Sequence, residues 1–166
     1  MSGAEAQSWV AAPEGLRFRS LLVSFQRFRR PPGDAIRAVP TSLGALPVAP
    51  DRQGAGFLLP LGDEEAFWLG ILDSKAPIEI EATLRDGSVR HVAQASGTHA
   101  AVAGIPTPEG DYRVLARSNV SALRVIAGGV AAGIELLAPA DYSRRSGAPA
   151  PEPLDPSAAY GGWRLP

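Results

Sequence analysis

The chain has 166 residues, 45% of them hydrophobic, which suits one domain with a real core. Its net charge of −1 excludes a global electrostatic drive toward nucleic acid or an anionic membrane. With no cysteine, disulfides, thiolate metal sites and a cysteine nucleophile are excluded together, and 18 glycines with 16 prolines disfavour long helices.

The opening MSGAEAQSWVAAPEG has neither a basic start nor an unbroken apolar run, so no signal peptide is expected. That favours the cytoplasm, or a particle assembled there. Residues 1–55 read as an N-terminal flank punctuated by prolines. Within it, Leu16 to Phe28 (LRFRSLLVSFQRF) forms an apolar and basic island, which suits an edge strand or, through Phe25 and Phe28, one helical face. Arg17, Arg19, Arg27, Arg29 and Arg30 fall here with no acid among them. As solvated charges they would protect a strand edge. As a patch, Arg27, Arg29 and Arg30 would meet an acidic partner surface or phosphate, because guanidinium pairs bidentately with both.

Residues 56–142 hold the strand signals. Ala66 to Leu72 (AFWLGIL) is apolar at both parities, as in a central strand covered on both sides. Pro77 to Arg85 alternates, with Ile78, Ile80 and Leu84 against Glu79, Glu81 and Thr83. Asp86-Gly87 then predicts a two-residue hairpin with Leu84 opposite Val89, Ala82 opposite His91 and Ile80 opposite Ala93. That register turns His91 toward the apolar face. Gly128-Gly129 predicts a second hairpin between ALRVIA and VAAGIELL. Between the two, Gly110-Asp111-Tyr112-Arg113-Val114 resembles a late strand of immunoglobulin-like sandwiches, where the tyrosine packs near a corner. The expected core includes Phe67, Leu69, Ile78, Ile80, Leu84, Val89, Tyr112 and Val114. Short strands separated by turns predict a mainly β fold, a single β-sandwich of immunoglobulin-like or jelly-roll-like type.

Residues 143–166 carry Pro149, Pro151, Pro153, Pro156 and Pro166, and read as an extended C-terminal tail. Tyr160, Trp163 and Arg164 near its end are residue types that anchor interfaces. The tail therefore docks, either on its own domain or on a neighbour.

Motifs for chemistry are sparse. Two histidines, His91 and His99, accompany no Gly-x-Ser-x-Gly elbow, and no phosphate loop or dinucleotide fingerprint occurs. No metal-ligand spacing is present, so no metal or cofactor is expected. No window of the chain is apolar for the length of a membrane span. The favoured expectation is a non-enzymatic structural or adaptor subunit that meets other protein subunits, other copies of itself among the options, through its flanks. The alternatives are a small-ligand or carbohydrate-binding module, with Trp68 or Trp163 as a stacking platform, and a hydrolase using Asp63, Glu64 or Glu65 with His91.

Overall fold

The computed structural model describes residues 8–154. Twelve strands and one helix follow in chain order. The strands are β1 (Val10–Ala12), β2 (Gly15–Phe18), β3 (Leu21–Arg29), β4 (Ala35–Ile36), β5 (Ala49–Pro50), β6 (Phe57–Pro60), β7 (Glu65–Leu84), β8 (Val89–Val102), β9 (Ile105–Pro106), β10 (Tyr112–Arg113), β11 (Val120–Ala127) and β12 (Val130–Leu137). The helix, α1, spans Pro139–Ser146.

The structure is mainly β, as expected, but the pairing curls the main sheet nearly into a barrel where a single sandwich was expected. Its order is β1-β2-β3-β7-β11-β12-β6-β5, with β8 paired to β7 alone. All neighbours are antiparallel except β12 and β6. Residues 43–50 bring the ends together. Leu46 N–H donates to the Phe25 carbonyl at 2.7 Å, Arg27 N–H donates to Gly44, and Ala49 pairs with Leu58 of β6. The same stretch thus touches β3 at its start and β6 at its end. The indole N–H of Trp9 closes the same seam with a 2.9 Å bond to the Val130 carbonyl.

Period-two alternation fills the interior. Phe67, Leu69 and Ile71, then Ile78, Ile80 and Ala82 of β7 face Leu123, Val125 and Ala127 of β11 and Ala132, Ile134 and Leu136 of β12. A separate three-stranded sheet, β4-β10-β9, lies over a smaller core of Phe28, Ile36, Ala66, Ala103, Val114 and Ala116, with Trp68 and Tyr112 packed against it. This explains the doubly apolar AFWLGIL: one parity enters the main core and the other meets the small one.

The island at Leu16 to Phe28 is not a peripheral edge or helix. It forms β2 and β3, and Leu16, Val23 and Phe25 are fully buried. Leu16, Phe18, Leu21, Val23 and Phe25 therefore belong to the main core and Phe28 to the smaller one, while Arg17 and Arg19 remain exposed.

The Asp86-Gly87 hairpin exists with a longer turn. The Gly87 N–H bonds the Leu84 carbonyl, the Leu84 N–H bonds the Ser88 carbonyl, and Gly87 sits at φ 89°. Three residues therefore make the loop, with glycine in the left-handed position that a G1 bulge requires. Thr83 opposes Val89 and Glu81 opposes His91, one position off the expected register. A bulge at Val92 restores Ile80 opposite Ala93. As a result His91 is exposed rather than packed, Val89 is 60% exposed and Leu84 only partly buried. The Gly128-Gly129 hairpin matches its prediction, with Ala127 opposite Val130 and both glycines at positive φ.

The last described segment is not extended throughout. Pro139 opens α1, Asp141 lies in its first turn, Arg144 and Arg145 in its last, and Gly147 closes it at φ 74°. Each is a helix signal. The helix folds back on the barrel, where Tyr142 packs with Ala49 and Leu58.

Candidate functional site

Of the expected partner-binding residues, Tyr160, Trp163 and Arg164 lie outside the described residues. Arg27 and Arg30 are engaged within the chain. Arg27 Nη1 is 3.2 Å from Glu65 Oε2 and 2.9 Å from the Glu152 carbonyl. Glu65 is 5% exposed; its other oxygen accepts from Gly62 N–H at 2.9 Å, and Oε2 also takes the Leu154 N–H at 3.3 Å. Arg30 bridges Asp34 at 2.9 Å and bonds the Asp63 carbonyl. Arg29 is partly exposed beside them. The basic cluster thus ties β3 to the start of β7 and to the C-terminal segment.

The acidic trio does not assemble with His91. Glu65 opposes Arg29 at the start of β7, whereas His91 faces Glu81 near its far end, and Asp63 pairs with Arg117 at 2.9 Å. Trp68 lies half-buried against the small core, which leaves little of its ring as a stacking platform. Among the described residues, no group of three or more acidic or histidine side chains could hold a metal ion, and no helix is long and apolar enough to cross a membrane.

Two open surfaces stand out among the described residues. One is a groove of about 710 Å³ on the outer face of β11 and β12, edged by Arg85, Arg117 and Arg124 and by Asp51, Glu135 and Asp141. Most of its charges are paired with side chains beside it. Arg145 reaches Asp51 at 2.6 Å and Glu135 at 2.9 Å, and Arg124 lies 3.7 Å from Glu81. The Gln53 backbone N–H, with help from Arg145, holds the Asp51 carboxyl below its usual range.

The other surface is the outer edge of β8. This 14-residue strand has a single sheet neighbour among the described residues, and most of its positions are exposed or half-exposed. An unpaired strand edge presents alternating N–H and C=O groups to any extended chain. Proteins usually blunt such edges with lysine, proline or inward charges. β8 has neither lysine nor proline and one arginine, Arg90; its interruptions are the Val92 bulge and the irregular pairing near Ser96. From Ala93 to Ala95 and from Gly97 to Val102 the edge is set against β7 with little to prevent further pairing. Sequence reasoning placed β8 only as half of a hairpin. The missing signal was its length, fourteen residues without a blocking side chain, against the shorter β11 that covers β7 from the opposite side.

No family model, curated protein or solved structure matches this chain.

Proposed function

We propose that the protein is a non-enzymatic structural or adaptor subunit, working in a cytoplasmically assembled complex, and that it meets its neighbour through the outer edge of β8. One observation carries the proposal: a long strand edge, poor in blocking residues, left open beside a barrel whose other main-sheet seams are bridged. Backbone hydrogen bonds to an added strand supply affinity without any catalytic group. Within the flanks, Arg27 and Arg30 also bond inside the chain, and Tyr160, Trp163 and Arg164 lie outside the described residues.

The test is a double substitution, Thr98→Glu with Ala101→Glu, at two exposed positions of β8. Charged side chains on an edge oppose strand addition while leaving an exposed strand folded. Native mass spectrometry of the variant purified from its source should show the free subunit, where the unmodified chain carries a neighbour. A neighbour retained at full occupancy would refute the edge as the contact.

A further inference from the structure

The edge of β8 is also the wall of a groove, and the groove has a charge. A volume of about 600 Å³ is lined by β8 from Val92 to Ser96 and from Ala100 to Val102, and by Arg37, Val39, Pro106 and Tyr112. Its apolar surface is made of small groups: Ala93, Ala95, Ala100 and Ala101, with Val39, 40% exposed, on the segment before β5. Small side chains let another backbone approach closely, and alternate side chains of an added strand would fall on these alanines. From Ser88 to Pro108 the chain has no acid, while Arg90, His91 and His99 lie on β8 and exposed Arg37 lines the groove. The nearest β7 acids, Asp73, Glu79 and Glu81, stand one strand further in, Asp73 between the partners of His99 and Gly97 and the other two opposite Gln94 and His91.

Resting on the assembly function proposed above, we infer that the occupant of this edge is an extended acidic segment of another protein, with small apolar residues at alternate positions toward the groove and carboxylates near Arg37 and Arg90. Charge complementarity favours an acidic segment over a second copy of β8, which has no carboxylate of its own to offer Arg37. It also favours fast, salt-sensitive association, as partly exposed ion pairs are screened.

The experiment uses the full chain and two capped seven-residue peptides. One alternates valine with glutamate or threonine, and the other replaces each glutamate by lysine. Amide chemical shifts followed by NMR during titration at low and high salt give both site and affinity. The acidic peptide should bind about tenfold more tightly than the basic one, less so at high salt. Its shifts should centre on residues 93–102 with Arg37 and Val39. Arg37→Glu should bring the ratio below about threefold. Equal binding of both peptides, no binding of either, or shifts centred elsewhere would overturn the inference. So would a concentration-dependent dimer seen by sedimentation with the same β8 shifts, since a second copy would then be the occupant. A chain ending at Leu154 that binds the peptide where the full chain does not would overturn it in favour of the chain's own C-terminal segment. Failure of the assembly function is read separately: the Thr98→Glu, Ala101→Glu variant would keep its neighbour whatever the peptides do.

Discussion

Arg27 Nη1 stands 3.2 Å from Glu65 Oε2 and 2.9 Å from the backbone carbonyl of Glu152, so one guanidinium joins β3, β7 and the C-terminal segment. Both side chains are largely enclosed, and Glu65 gains two backbone N–H donors besides. A buried carboxylate stripped of its cation is costly, since neither water nor another charge replaces it. Arg27→Met should therefore lower stability by about 3 kcal/mol in denaturant unfolding. It should also speed proteolysis within residues 147–154. Glu65→Gln keeps the shape and removes the charge, and the double change should be less damaging than the two single effects added. Additive effects would mean that the pair is not coupled.

The helix makes the segment after β12 part of the fold. Tyr142 is 1% exposed, and Arg145 bridges Asp51 and Glu135 from the same helix. A chain ending at Tyr142 loses the bridge and the clasp at Glu65, and should be markedly less stable than one ending at Leu154. Tyr142→Ala should cost about 3 kcal/mol, as for other large buried aromatics. Equal melting of both truncations would show that residues 143–154 contribute nothing to the fold.

The Asp51–Arg145 bridge gives a pH signature. The Asp51 carboxyl is held below its ordinary value of 3.8, first by the Gln53 N–H and then by Arg145. A depressed acid stabilises the fold above its unfolded value, and that contribution disappears as pH falls through the folded value. Wild type should therefore melt above Asp51→Asn at pH 6, with the gap narrowing below about pH 3.8. A gap that stays constant or widens in acid would contradict the bridge.

Register separates two positions that looked alike in the sequence. Ile80 is fully buried and Val89 is 60% exposed, although both were expected in the core. Ile80→Ala should cost about 2–5 kcal/mol and Val89→Ala less than about 1 kcal/mol in chemical unfolding. Comparable losses would restore the two-residue turn.

Local patterns account for much of this architecture. Alternation around Ile78 and Ile80, the double apolarity around Phe67 and the Gly128-Gly129 turn are short-range signals, and each predicted its element. The three-residue loop at Arg85 to Gly87 was misread because Asp-Gly fits two turn types and only the Leu84–Ser88 bond distinguishes them. The helix at Pro139 was legible from Pro139, Asp141 and Gly147 but was masked by the prolines that follow. Closure of the barrel through residues 43–50, the parallel pairing of β12 with β6, and the Arg27–Glu65–Glu152 contact join segments far apart in sequence. Periodicity carries no information on such pairs, so Arg27 looked available when it is spent. The open edge of β8 was hidden for the same reason: what fails to pair is visible only once the pairings are known.

The most direct test of the central claim is amide hydrogen exchange, compared between the isolated chain and the complex purified from its source without denaturation. In the isolated chain, β8 amides that point away from β7 have no strand to bond among the described residues and should exchange far faster than those bonded to it. In the complex those same amides, between Ala93 and Val102, should slow by orders of magnitude, while the loop at Arg85 to Gly87 stays fast. A source-purified protein in which the outward amides of β8 exchange as they do in the isolated chain would contradict the account.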